Sequence, residues 1–185
     1  LKPEECENLE LGIGIEKKYL GLEVTHFKNE FKNLITHYTD PATGQSTYKN
    51  IGSATTEGDE FTLSVMPTED ISILLNLTLL TKAKDNATGE RLLLRPERRA
   101  NLNIRWKPSE KVTLFIDEIY VGERLDYGNV ELPKYTLFNT RISYRLSETL
   151  TLSGRIENLF DEKYEEVKGY GTPGRSLYGG IRLEL

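Results

Sequence analysis

His26 and His37 are the chain's two histidines, and they stand eleven positions apart. Eleven is odd, so on one regular strand the two imidazoles point to opposite faces. No metal-ligand spacing or nucleophile elbow accompanies them, and no motif assembles a serine with a histidine and an acid. The acidic cluster Asp161, Glu162, Glu165 and Glu166 has the hard oxygens that Ca²⁺ takes, but Lys163 and Lys168 lie among them, as on a solvated loop face. Gly169, Gly171 and Gly174, with Pro173, punctuate a loop and do not cradle phosphate, since no helix follows them. Arg95, Arg98, Arg99 and Arg105 form the one local basic concentration, and guanidinium groups hold carboxylates or other anions. These residues describe neither an enzyme nor a cofactor-binding protein.

The whole chain agrees with that reading. Its 185 residues carry 24 Lys and Arg against 29 Asp and Glu, a net charge of −5, so there is no basic excess of the kind that points to nucleic acid. Mean hydropathy is −0.48, but an average cannot see alternation. The longest apolar stretch, Ile71 to Leu80, is half the roughly 20 residues of a membrane-spanning helix. The opening LKPEECENLE has neither the basic nor the apolar region of a signal peptide and no initiator Met, as expected of a processed product or a piece of something longer. A single cysteine, Cys6, leaves no internal disulfide.

The elements that must position these residues are strands. Apolar residues alternate with polar ones at Leu9–Ile15, Ile71–Leu79, Ala100–Trp106, Leu150–Ile156 and Leu177–Leu185. The pattern predicts nine strands at 8–18, 21–38, 47–66, 70–84, 91–107, 111–125, 132–146, 149–159 and 175–185, and no helix. Their connections alternate in length. Tight turns fall near 19, 68, 109 and 147; long polar loops fall at Thr39–Ser46, Asp85–Glu90, Asp126–Glu131 and Leu159–Gly174. The expected fold is therefore all-β, an antiparallel up-and-down meander of long strands with every long loop at one end, as in part of a transmembrane β-barrel. A soluble sandwich also alternates, but its strands are about five or six residues long, short of the nine to eleven that a tilted membrane strand needs. Leu75, Leu77, Leu102, Ile104, Leu150, Leu152, Ile181 and Leu183 should share one face, and Asn76, Asn103, Arg105, Arg155 and Arg182 the other.

Several stretches, taken in order, resemble the C-terminal barrel region of TonB-dependent outer-membrane receptors: LKPEECENLELG at 1–12, FKNLI at 31–35, YKNIGSATTEGDEF at 48–61, RPERRANLNIRW at 95–106, YVGER at 120–124, RIENLFDEKYEE at 155–166 and TPGRSLYGGIRLEL at 172–185. The resemblance implies a bacterial outer-membrane location and a barrel of 22 strands with a plug in its lumen. It further implies uptake of a metal chelate such as a ferric siderophore, or of cobalamin, powered through TonB. Residues 1–185 would be one segment of that barrel, about its last nine strands, without the plug. The alternative is a non-transporting structural or engineered β module that folds as a small or oligomeric barrel. Within the resemblance, the ligand-facing candidates on lumen or loops are Arg99, Arg105, Tyr127, Tyr170 and Arg175. Arg99 and Arg105 have lumen parity and would meet either plug carboxylates or an anionic ligand.

Some residues depart from the pattern. Leu183 and Leu185 stand where family members usually end in an aromatic residue. His26, Asp59 and Glu118 fall on the face that should look at lipid. For Glu118 this implies a local bulge, a position above the membrane band, or a chain that is not in lipid. An odd strand count leaves two open edges, which must pair with each other in a smaller barrel or, as expected from the bulky lumen side chains, with another chain.

Overall fold

The computed structural model describes residues 1–50 and 52–184; Leu185, the last outward position expected above, lies outside the described residues. Among the described residues thirteen strands form: β1 (Glu5–Lys17), β2 (Leu20–Lys32), β3 (Ile35–Thr39), β4 (Ser46–Asn50), β5 (Ser53–Thr68), β6 (Ile71–Asp85), β7 (Arg98–Ser109), β8 (Val112–Val121), β9 (Arg124–Asp126), β10 (Val130–Leu132), β11 (Tyr135–Arg145), β12 (Leu150–Glu157) and β13 (Ser176–Leu183). Nine of them make one antiparallel sheet in the order β1-β2-β5-β6-β7-β8-β11-β12-β13. The remaining four form two small hairpins, β3 with β4 and β9 with β10. All tight turns lie at one end of the sheet and all four long loops at the other, as the alternation of connection lengths requires.

Five predicted strands are interrupted: 47–66 is divided between β4 and β5, and the other four stop for a local reason. The stretch 21–38 stops at Asn33, which takes a positive φ of 57° and donates its N–H to the Gly52 carbonyl at 3.1 Å; β3 and β4 thus form a separate hairpin above the sheet. His26 and His37 are consequently not on one strand. The stretch 91–107 begins only at Arg98, because Leu94 has a positive φ of 55° and Pro96 has no N–H for the ladder. The stretch 111–125 breaks at Gly122, whose N–H is taken by the Arg98 carbonyl at 2.9 Å. The stretch 132–146 breaks at Pro133, between β10 and β11.

Register assigns the two faces as expected. Leu75 lies opposite Leu102, Ile73 opposite Ile104, Leu152 opposite Ile181 and Leu150 opposite Leu183; on the other face Arg155 lies opposite Arg141 and Tyr178, and Thr151 opposite Arg182. The apolar face is uncovered. Only Ala54, Val121, Leu132 and Tyr135 form a buried apolar core among the described residues, whereas Leu11, Ile13 and Ile181 are more than three-quarters exposed. A sandwich would bury that face against a second layer; a single sheet with its leucines outside has the anatomy of a membrane wall.

Glu118 does not sit at a bulge. β8 runs in unbroken register against β7 from Leu114 to Val121 and against β11 from Val112 to Val121. Irregularities occur elsewhere, at Glu57/Gly58, Val65/Thr68 and Trp106/Ser109. Among the described residues β1 and β13 each pair with one neighbour and not with each other, so their sheet does not close into a small barrel.

Candidate ligand-facing lumen and loops

The polar face carries a ladder of arginines. Arg105, Phe115, Arg141, Arg155 and Tyr178 occupy one row across β7, β8, β11, β12 and β13. The Arg141 guanidinium lies over the Phe115 ring at 4.1 Å and that of Arg155 over Tyr178 at 4.2 Å, which flattens both side chains along the wall. One row nearer the loops, Asn103 donates to Asp117 at 2.7 Å. Arg99 lies on the same face at the loop end of β7, opposite Thr78 and Val121. Six residues of strand, about 20 Å at the usual rise, separate Arg99 from Arg105, so the two do not form one site.

Above the sheet the loops lock together around three buried polar side chains. Asp126, 1% exposed, accepts the N–H of Tyr127 at 2.7 Å and that of Lys168 at 2.6 Å, tying the β9–β10 hairpin to the last loop. Arg124, 5% exposed, donates to the carbonyls of Pro133 and Glu165 and lies 5.3 Å from the Tyr135 ring, against which Tyr164 packs at 4.5 Å. Burial, reinforced by the nearby Glu166 charge, raises the Tyr164 phenol above its ordinary pKa. Asn158 adopts φ 49° where β12 ends; it donates to the Glu162 and Pro173 carbonyls and accepts the Glu162 N–H at 2.8 Å. Asp161 accepts the Arg175 N–H at 2.9 Å and Lys163 at 3.1 Å, and both hold its carboxyl below the usual carboxylate range.

The loop candidates therefore share a layer. Tyr127, half exposed, sits edge-on to His37 at 6.0 Å, and Tyr170 is 72% exposed on the segment that Asp126 anchors. Arg175 stands at the base of that segment, held by its main chain. Asp161 and Glu165 bond to neighbours in or beside their own loop, and among the described residues no three His, Cys, Asp or Glu gather as a metal site. Beside this layer, Arg91, Arg98, Arg124 and Lys134, with Glu97 and Glu131, line a cleft of about 320 Å³. The reading from residue types missed Arg124, Asp126 and Asn158, because their bonding partners lie in other loops or at turn positions without a sequence signature.

A single-layer wall, apolar outside and arginine-rich inside with its loops interlocked at one end, agrees with the comparisons to known proteins. A family model described as "TonB dependent receptor-like, beta-barrel" matches residues 1–159. The chain belongs to this family of receptor barrels. The ferric enterobactin receptor PirA of Pseudomonas aeruginosa is 30% identical over 203 residues, which cover 96% of this chain and 27% of PirA. The vitamin B12 transporter BtuB of Vibrio cholerae is 31% identical over 100% of this chain and 30% of its own length. A crystal structure of a mutant ferric enterobactin receptor, PfeA of P. aeruginosa, superposes with a TM-score of 0.82 at 25% identity, over 99% of this chain and 31% of PfeA. This TonB-dependent receptor segment thus spans about three tenths of the length of the relatives it matches. Relatives include an iron-regulated outer membrane virulence protein of V. cholerae, and the wall belongs in the bacterial outer membrane.

Proposed function

We propose that the chain is a single wall segment of a receptor for TonB-dependent uptake of a metal chelate, a ferric siderophore first and cobalamin second. It is not an enzyme. The two cargo classes are those in the names of the relatives, the ferric enterobactin receptors and the vitamin B12 transporter. One observation carries the reading: a sheet whose apolar face is left bare while its other face carries a row of arginines is built to separate lipid from a wet lumen. The partners that follow are outer-membrane lipid, a plug and TonB in the complete receptor, and another segment or chain on the open edges of β1 and β13.

In this reading Tyr127, Tyr170 and Arg175 meet the chelate at the mouth, while Arg99 and Arg105 line its path. The test is uptake of iron-55 ferric enterobactin and cobalt-57 cobalamin by cells whose own receptors are deleted and which express the complete receptor. Uptake of one cargo that vanishes without TonB is the expected result. Equal passage of both cargoes with TonB absent would replace the receptor with a passive pore.

A further inference from the structure

The cleft beside the loop layer opens on the outer side of the wall, the side of the leucines. Arg98 pairs with Leu79 and Tyr120 with Ala100, so both share the parity of Leu75 and Leu102. Between Arg98 and Lys134 the wall carries Gly122, where a Cβ would come within 2.9 Å of the Arg98 carbonyl oxygen; the missing side chain leaves the hollow of about 320 Å³ open. Glu97, Glu123 and Glu131 line it together with four cations, yet among the described residues its one ion pair joins Arg91 to Glu97 at 3.1 Å. Arg124 is 5% exposed, and among the described residues its guanidinium meets only neutral groups, the carbonyls of Pro133 and Glu165 and the face of Tyr135. A buried cation without a counter-charge is costly, and an anion in the cleft would relieve it. A second hollow of about 230 Å³ shares Arg91 and Glu97 with the first and adds Lys82, Lys84 and Arg95. The two together gather seven cations against three carboxylates, on a chain whose net charge is −5.

We infer that this outer rim binds a phosphorylated lipid of the outer leaflet, its phosphate held between Arg98 and Lys134 with Arg124 behind them, and its acyl chains laid down the bare face below. The inference rests on the receptor-wall reading above, which puts that face in lipid. Position decides the occupant. Directly beneath the cleft the outward rows run Leu77 with Ala100, Leu75 with Leu102 and Ile73 with Ile104, each two residues deeper than the last. An anion seated at Arg98 and apolar chains on those rows therefore belong to one amphiphilic molecule. Tyr120, at the boundary between the charged hollow and the apolar rows, stands where interfacial aromatics stand. A soluble anion travelling through the lumen meets the opposite face of the wall, the one that carries Arg105 and Arg141. Guanidinium forks match phosphate oxygens in pairs, and basic pockets at a membrane surface hold lipid head groups by that chemistry.

The experiment titrates the complete receptor, in mixed micelles, with bisphosphorylated lipid A and with the same glycolipid stripped of its phosphates. Wild type is compared with R98Q/K134Q and with the charge-keeping R98K/K134R. Removing the two cations, or the phosphates, should each weaken binding about tenfold, the scale of one charge-assisted hydrogen bond, and doing both should cost no more than either alone. R98K/K134R keeps most of the affinity, and heat-modifiable migration is unchanged in both variants. Equal affinity of wild type and R98Q/K134Q for the bisphosphorylated lipid overturns the inference, as does independent loss from the cations and the phosphates. Displacement of the lipid by an equal concentration of inorganic phosphate also overturns it and assigns the cleft to a free anion. Should R98Q/K134Q not assemble, R98Q alone is read the same way. A wild-type receptor without heat-modifiable migration would defeat the wall reading and this inference with it, whereas a heat-modifiable receptor indifferent to the phosphates defeats the inference alone.

Discussion

His26 and Asp59 stand directly opposite each other across β2 and β5, Nδ1 to Oδ1 2.9 Å, on the face that elsewhere turns leucines to lipid. Glu57 lies 3.8 Å from the same imidazole and 3.9 Å from Lys82, so the outward charges gather at the loop end and bond to one another. They mark the interface and leave the apolar band below them intact. Since the His26 and Asp59 side chains are about half and one-third exposed, Asp59→Leu should change stability by less than about 1 kcal/mol. A carboxylate placed within the band, Leu75→Asp, should cost about 2 kcal/mol. Urea unfolding in liposomes distinguishes the two, and a larger loss from Asp59→Leu would put the membrane band higher on the wall.

Glu118 is an outward charge without such company. It faces outward between Leu102 and Phe138, three residues short of the loop end of β8, and no described side chain bonds to it. Glu118→Leu should stabilise the receptor by up to about 1 kcal/mol in bilayers and less in a zwitterionic detergent that wets the position. A destabilised variant would mean that the carboxylate has a partner outside this chain.

Gly58 sits at the β5–β6 bulge, where a Cβ would be driven into the Leu79 carbonyl oxygen and to within 3.1 Å of the Leu80 Cα. Backbone, unlike a long side chain, cannot step aside. Gly58→Ala should therefore cost about 2 kcal/mol, whereas Gly179→Ala, with nothing within 4 Å, should cost far less. Paired unfolding midpoints decide it.

The nine sheet strands, their order and their two faces were legible because period two and turn residues are local signals. Leu75 and Leu102 could be assigned to one face before their pairing was known. The strand breaks at Asn33 and Leu94 were not, since a positive φ at a non-glycine is imposed by what surrounds it. The acidic run 161–166 read correctly as loop. Its organisation did not show, because Asp126 bonds Lys168 and Arg124 bonds Glu165 across 42 and 41 residues. Lumen parity singled out Arg99 and Arg105, but Arg141, the direct neighbour of Arg155, needed the register of β11.

Asp161 makes the last loop sensitive to acid. Its carboxyl is held below the ordinary value of 3.8, first by the Arg175 N–H and then by Lys163. A depressed folded pKa contributes stability that is complete above the unfolded value and is lost as pH falls through the folded one. Protease cleavage within residues 159–174 should therefore be constant from neutral pH down to about pH 4 and rise below it. In Asp161→Asn, cleavage should lose this acid-dependent rise; a rise that persists in the variant would assign the titration to another carboxylate.

Asn158 has more to lose than any other loop residue. Its side chain donates to two carbonyls and accepts one N–H, while its own N–H is held by Asn139 at 2.9 Å, all at 5% exposure. Asn158→Ala leaves those buried groups unpaired and places alanine at φ 49°, together worth about 3 kcal/mol. Asn158→Gly relieves the backbone but not the bonds, and Asn158→Asp keeps the acceptor and removes the donors. The expected order of loop protection against protease is wild type, then Asp and Gly, then Ala, with heat-modifiable migration unchanged in all, since β12 and β13 pair along eight residues without the loop. Equal protection in Ala and wild type would show that Asp126 and Arg124 alone hold the loop, and protection in Gly equal to wild type would assign the whole effect to backbone conformation.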